Sequence, residues 1–283
     1  MDGIIVVNKP KGITSRDVVN KVCKLLNTKK VGHTGTLDPI ATGVLVLCVG
    51  KATKLVEVLT SNDKEYVATV KLGILTDTLD ADGTIIEKKC VNLDKDKLEN
   101  VLNSFIGTYN QEVPIYSAVK INGKKLYEYA REKKEVTIPK RMVEIKKIKL
   151  IEFGNNYYKF KVTVSKGTYI RSLIKDINDK LGVIGVMSEL VRTKQGKFSI
   201  NNSYTLENME NNNYNVLTIT DVLKNENCVI ISKTLFEKVK NGALINNEYN
   251  TSMVTFIYND SVIAIYKIYD KDKSKLKPYK MFI

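Results

Sequence analysis

Apolar positions along the chain follow two rhythms, short runs or alternations typical of strands and longer stretches with helical spacing. Ile4 to Val7 reads as a buried strand, closed by the turn Asn8-Lys9-Pro10-Lys11-Gly12. Thr14 with Asp17 three residues later marks a helix start, and Val18, Val19, Val22, Leu25 and Leu26 continue with helical spacing. A loop of small and polar residues from Gly32 to Gly43 then leads into the apolar strand Val44 to Val49. Tyr66 to Leu72 alternates like a half-buried strand, and Leu98, Val101, Leu102 and Phe105 predict a helix ending at Gly107. Asn122-Gly123 is a turn signal after a strand over Tyr116 to Ile121. Tyr158, Phe160, Val162 and Val164 alternate as another strand. The helix after it carries Ile170, Leu173, Ile174, Ile177 and Leu181 on one face and stops at Gly182. Strands and helices mix without a regular βαβ rhythm, which predicts an α+β fold with a mixed sheet.

The Asn-rich stretch from Asn201 to Asn215 reads as an irregular surface segment, and composition shifts around Lys224-Asn225-Glu226-Asn227. That shift divides the chain into 1–223 and 224–283. The second part shows a short helix ending at Gly242, strands Met253 to Tyr258 and Val262 to Ile268 joined at Asn259-Asp260, and a last strand near Tyr279 to Phe282. Hairpins and one helix in about sixty residues suggest a small β-barrel-like module.

Composition narrows the chemistry. At 283 residues there is length for one large domain and a small one. The N-terminus runs straight into a strand rather than a secretory leader. The longest apolar run, Val44 to Val49, falls well short of the roughly 20 residues of a membrane helix, so the expectation is a soluble, cytoplasmic protein without a membrane partner. Cys23, Cys48, Cys90 and Cys228 are scattered and His33 is the sole histidine, which makes a zinc site or a hydrolase triad a poor fit, and no metal is expected. The formal net charge of +14 suits a polyanion partner, although lysine-rich composition alone decides little. Arginine is more telling because it is scarce. Arg16, Arg131, Arg141, Arg171 and Arg192 are the full set, and a retained arginine suggests a need for its planar fork.

The loop from Gly32 to Gly43 holds the candidate chemistry. Pro39 disfavours the helical region for Asp38, and glycines on either side permit close approach of backbone or ligand. A fixed carboxylate at the mouth of a buried strand suits a nucleophile or base. A lone Asp-Pro is more often a turn or a helix cap. The full string is more specific: Lys30-Val31-Gly32-His33-Thr34-Gly35-Thr36-Leu37-Asp38-Pro39-x-Ala41-Thr42-Gly43-Val44-Leu45 closely resembles the signature of the TruB family of tRNA pseudouridine-55 synthases. Asn8-Lys9-Pro10-x-Gly12-x-Thr14-Ser15 resembles the family's opening motif, and Lys64-Glu65-Tyr66 its Lys-x-Tyr strand. Ser165-Lys166-Gly167-Thr168-Tyr169-Ile170-Arg171-Ser172-Leu173 resembles its arginine motif, and Leu190-Val191-Arg192-Thr193-x-x-Gly196 its late strand. Tyr116-Ser117-Ala118-Val119-Lys120 also fits, with Val113 standing where a second proline is usual. The likeness is strong over about residues 3 to 200 and weaker beyond, where it resembles a PUA-like RNA-binding module.

The resemblance implies that Asp38 is the catalytic aspartate, that Arg171 pairs with it, that Tyr66 stacks on a flipped base, and that Tyr169 and Leu190 line the pocket. Leu190 is equally open to reading as ordinary packing. Arg171 has a second argument. If Thr168 caps the helix, Arg171 lies in its first turn, where a cation opposes the helix dipole, so pairing with an acid explains it better than stability does. His33 supports displaced nucleotides or is a plain loop histidine. Lys9, in the opening motif, counts among the substrate-binding candidates. The segment Lys120 to Arg141 carries Lys124, Lys125, Arg131, Lys133, Lys134 and Lys140 with Tyr127 and Tyr129 interleaved. Within the resemblance it reads as an RNA-clasping insertion, about 114–141, with Lys120, Arg131 and Arg141 positioning phosphates. Pseudouridine formation is redox-neutral, so no cofactor is expected. The expected partner is tRNA and the expected state a monomer. Two rivals stand beside this reading: a pseudouridine synthase for another RNA site, and a non-catalytic RNA-binding or tRNA-folding protein.

Overall fold

The computed structural model describes residues 1–224 and 227–283, so the predicted boundary falls partly on Asn225 and Glu226, outside the described residues. Strand β1 (Gly3–Lys9) turns at Pro10 into helix α1 (Ser15–Leu25). Thr14 and Asp17 form the reciprocal capping box that their spacing predicts. Strands β2 (Val31–His33) and β3 (Thr42–Val49) flank the Asp38 loop, and α2 (Val56–Thr60) leads to β4 (Lys64–Leu72). A hairpin of β5 (Ile74–Thr76) and β6 (Ile85–Lys88) precedes α3 (Lys95–Asn103) and β7 (Gly107–Glu112). Next come β8 (Lys120–Ile121), β9 (Lys124–Lys125), α4 (Leu126–Arg131), β10 (Lys140–Phe153), β11 (Tyr157–Val164), α5 (Ile170–Leu181), β12 (Gly185–Gln195) and β13 (Phe198–Ser199). Short helices α6 (Leu206–Glu210) and α7 (Ile219–Leu223) follow. The last part holds β14 (Cys228–Ile230), α8 (Lys233–Lys240), β15 (Ile245–Asn246), β16 (Met253–Tyr258), β17 (Ser261–Tyr269) and β18 (Asp272–Met281).

Among the described residues the strands make a nine-stranded sheet along β1-β3-β12-β4-β11-β10-β7, with β2 on β3 and β13 on β12. Every pairing in it is antiparallel except β3 with β12, so the sheet is mixed and the fold is α+β. A five-stranded sheet, β14-β16-β17-β18-β15, follows. No helix among the described residues is long and apolar enough to cross a membrane.

The continuous apolar run of β1 has a packing reason. Ile4 and Val6 face one core with Val262, Ile265 and Phe282 of the second sheet, while Ile5 and Val7 face another with Val18, Val19 and Val22 of α1. A strand buried on both faces cannot alternate. The largest core lies under α5 and α3, where Leu173, Ile174 and Ile177 meet Val70, Tyr158 and Phe160.

Four expectations change in detail. Helix α3 ends at Asn103, and Gly107, at φ +114, opens β7 instead of stopping the helix. The strand over Tyr116 to Ile121 shrinks to Lys120–Ile121, because Tyr116 to Val119 turn toward the Asp38 loop and the hairpin is made only around Asn122-Gly123. The stretch from Asn201 to Asn215 is less irregular than expected: it holds α6, Tyr204 bridges to Val7 of β1, and Leu206 and Met209 are buried. The last strand begins at Asp272, earlier than its apolar end suggests, because it pairs along β17. Val113, at the usual proline position, donates its amide to Pro139 O at 3.1 Å. A proline there would lack that bond, which ties the insertion at its root.

Candidate active site

Asp38 sits in a loop secured from several directions. The Ser15 hydroxyl accepts from the Leu37 amide at 2.8 Å and faces the Leu37 carbonyl at 3.1 Å, and Gly12 N donates to Pro39 O at 2.9 Å. The Asp38 carbonyl accepts from Ala41 N, closing a tight turn. At the end of the loop Gly43 has φ +97, and a Cβ there would stand 2.3 Å from Arg192 O. Only glycine lets β3 come that close to β12.

Arg171 reaches this loop from α5. Its Nε lies 3.0 Å from Asp38 Oδ2, while Nη1 donates to Thr78 O at 2.9 Å and Nη2 to Tyr116 O at 3.0 Å. The arginine side chain is 6% exposed and the aspartate 36%, so a buried guanidinium presents a carboxylate that remains open to the cavity. Thr168 does not cap the helix. Tyr169 is the N-cap residue and the Thr168 hydroxyl donates to Ser165 O. Arg171 still lies in the first turn, which holds no acidic residue, so the dipole argument survives with a different cap.

A second carboxylate, Asp80, stands 3.6 Å from Arg171 Nη1 and accepts from Thr78 Oγ1 and Asp82 N. Burial pushes its carboxyl above the usual carboxylate range, against the pull of Thr78 and Arg171. Beside it Leu79 has φ +64, an uncommon conformation for a branched residue, held by its amide to Thr76 O and its carbonyl from Met187 N. Nothing local in the sequence marks Asp80. Only the fold brings it to Arg171.

Asp38, Arg171, Tyr66, Tyr169 and Leu190 line one cavity of about 520 Å³, together with Tyr127 of the insertion. Tyr66 and Leu190 are both buried, on neighbouring strands. Burial raises the Tyr169 phenol, and the Arg141 charge works against that rise. Lys120, Arg131 and Arg141 are exposed, with Arg131 stacked over the Tyr127 ring at 5.3 Å. The lysines of the insertion are less free than their number suggests: Lys124 and Lys134 both pair with Glu132.

Lys9 has a different place from the one expected. Its side chain is fully buried and donates to Pro10 O, Ile13 O and Pro39 O, which fills its three donors and ties the first turn to the Asp38 loop. Burial lowers its pKa to about 8. It cannot reach a ligand in the cavity while so engaged. His33 lies on β2, outside the cavity lining, and burial together with the Arg192 and Arg16 charges lowers its pKa.

Arg192, noted in the sequence for its scarcity and its place in the late-strand motif but given no role there, spans the two ends of the Asp38 loop. Nε donates to Val44 O at 2.6 Å and Nη2 to Gly35 O at 2.9 Å, while Nη1 lies 3.5 Å from the Tyr66 hydroxyl. Lys64, lowered to about 8 by burial and then by Arg192, lines the same cavity and donates to Thr60 O and Asn62 O. The cavity thus joins one open carboxylate to fixed cations and a tyrosine face. That set suits proton or nucleophile chemistry on a planar, polar substrate attached to an anionic chain.

Residues 23–170 match the pattern of the TruB family pseudouridylate synthase N-terminal domain, and residues 171–224 that of the tRNA pseudouridylate synthase B C-terminal domain. The chain is 44% identical over 303 residues to a tRNA pseudouridine synthase B of Bacillus subtilis, with 100% of this chain and 98% of the relative covered. A tRNA pseudouridine synthase B of Bacillus cytotoxicus is 42% identical over 300 residues with the same coverage. The fold is similar to a chain in a Cbf5-Nop10-Gar1 complex at a TM-score of 0.76 and 27% identity, covering 99% of this chain and 85% of that one. A chain of an H/ACA RNP bound to a substrate RNA containing 2'-deoxyuridine gives 0.74 and 26%, with the same coverage.

Proposed function

The chain belongs to the TruB family of pseudouridylate synthases, and from that premise we propose that it isomerises the uridine at position 55, in the T-arm loop of tRNA, with Asp38 as the catalytic carboxylate. It is a tRNA pseudouridine synthase. The reaction breaks the bond between ribose C1′ and uracil N1 and forms one between C1′ and C5. C5 loses a proton and N1 gains one, so electrons balance without a redox partner. The observation that carries the assignment is the Asp38 carboxylate, open to the cavity and held at 3.0 Å by the buried Arg171.

The target base must leave its stack, at a cost of a few kcal/mol, and the Tyr66 ring offers a stacking surface that offsets part of it. Tyr169 and Leu190 border the same space. Residues 114–141 act as the RNA-clasping insertion, with Lys120, Arg131 and Arg141 on phosphates. Residues 224–283 act as a PUA-like module beside the catalytic part, residues 1–223. The full-length likeness to proteins named tRNA pseudouridine synthase B favours tRNA over a guide-directed RNA site.

Purified protein incubated with an unmodified tRNA transcript, followed by mapping of pseudouridine, tests the reading. One modified position in the T-arm loop is the expected result. Asp38→Asn keeps the shape and removes the charge, so it should bind tRNA and give no product. Residual turnover above a hundredth of the native rate would remove Asp38 from the chemistry.

A further inference from the structure

Helix α5 carries Arg171 in its first turn, yet it begins without a cap of its own. Its N-cap residue is Tyr169, which has no side-chain capping bond, and the first turn has no acid. The N-cap residue itself is held from another element. Gln111, on β7 and 1% exposed, accepts from Tyr169 N at 2.7 Å through Oε1 and donates through Nε2 to Tyr169 O at 3.1 Å. The same Nε2 donates to the Tyr109 hydroxyl at 2.7 Å, and that hydroxyl donates to Asp176 of α5 at 3.2 Å. One buried amide therefore holds both main-chain polar atoms of the residue whose side chain lines the cavity, two positions before the arginine that holds Asp38.

We propose that Gln111 is a positioning residue for the isomerisation, a clamp supplied by β7 that fixes the Tyr169 backbone and so sets the direction of both Tyr169 and Arg171. This rests on the proposed function, because it is the chemistry at Asp38 that needs the geometry. A planar primary amide suits the task. It has an acceptor and donors on one rigid head, so it can satisfy N–H and C=O of the same residue, and the shorter Asn or an apolar side chain cannot. Register adds a second consequence: Gln111 pairs with Arg141 across β7 and β10, at the root of the insertion, so the clamp joins the strands that bear the insertion to the helix that bears Arg171.

The test uses the full chain and a tRNA transcript. Gln111→Met, of similar volume, removes all three bonds. Tyr109→Phe removes the hydroxyl that accepts from Gln111 Nε2 and donates to Asp176, and leaves both bonds between Gln111 and Tyr169. The single-turnover rate at saturating tRNA should fall by about tenfold or more in Gln111→Met, through the loss of its two bonds to Tyr169, with tRNA Kd within threefold of native. Tyr109→Phe should keep its rate within threefold. A purely structural role would lower the melting temperature of Gln111→Met and leave the saturating rate of the folded fraction unchanged, and that result overturns the proposal. If Gln111→Met does not fold, Gln111→Asn keeps the amide but cannot span both Tyr169 atoms, and the same drop in rate at unchanged Kd is expected. A native rate in a folded Gln111→Asn also overturns it. Absence of pseudouridine with the native chain would count against the function, not against the clamp.

Discussion

Arg171 meets four different groups, and only two carry charge: Asp38 at 3.0 Å and Asp80 at 3.6 Å. The carbonyls of Thr78 and Tyr116 occupy the remaining directions of the fork. A lysine in its place retains one charge but has no planar head to meet acceptors lying on different sides. Arg171→Lys should therefore lower the single-turnover rate by a hundredfold or so while tRNA binding holds, and near-native turnover would mean that Asp38 needs no fork. Asp80→Asn is the milder case. It keeps the bond from Thr78 and deletes a charge that helps orient the guanidinium, a loss on the order of 1.5–3 kcal/mol, or about ten- to a hundredfold in rate. Assaying Asp38→Asn, Asp80→Asn and the double variant would separate the two acids. An Asp80→Asn enzyme with unchanged rate would leave that carboxylate a purely structural part of its turn.

At the scale of elements, what the sequence revealed was local. Thr14 and Asp17 announce α1 because both halves of a capping box lie within four residues, and Gly182, at φ +72, ends α5 where the spacing says it should. The Asp38 loop was visible through its motif, and Arg171 through its place in a helix that does not favour a cation. What stayed hidden is long-range. Asp80 and Gln111 meet Arg171 and Tyr169 across more than fifty residues of chain, and no period or turn signal encodes that distance. The burial of Lys9 was hidden for the same reason, since its three carbonyls come from a turn and from a loop thirty residues on. The apolar strand β3 carries its own test. Cys48 is fully buried among Ile4, Val46 and Leu55, and burial lifts its thiol from the usual 9.0 to about 12. The folded state holds this proton where the unfolded chain has released it, so the stabilisation is complete below pH 9 and is lost as pH rises through 12. Between pH 8 and pH 10 native protein should lose about 1.4 kcal/mol more than Cys48→Ala does in urea unfolding. Equal losses in the two proteins would show that the thiol ionises in place.

For the whole molecule, the question is how the charge of +14 is shared between the two sheets. The second sheet is not a loose appendage. Val262, Ile265 and Phe282 share a core with Ile4, Val46 and Leu55, Lys54 donates to Met281 O at 2.5 Å, and Lys280 pairs with Glu57 at 2.8 Å. Cutting the chain near Lys224 would strip the cover from that core, so the proposed role of the last sixty residues in RNA binding is better tested by changing charge in place. Its lysines are not equal. Lys277 pairs with Asp270, Lys280 with Glu57 and Lys275 with Asp272, whereas Lys271 and Lys273 are exposed, with no ion pair among the described residues. A cation already neutralised by a neighbouring acid must give up that partner before it can meet a phosphate. Replacing Lys271 and Lys273 together by Gln should thus flatten the log–log salt dependence of tRNA binding by roughly 0.7 to 0.9 for each phosphate left without its lysine. The matched pair Lys277→Gln and Lys280→Gln should change it less. The saturating single-turnover rate should stay native in both, since no residue at the cavity comes from this sheet. An unchanged slope with Lys271 and Lys273 replaced would take the β17–β18 turn off the RNA path, and a larger change from the paired lysines would mean that their acids release them when RNA binds.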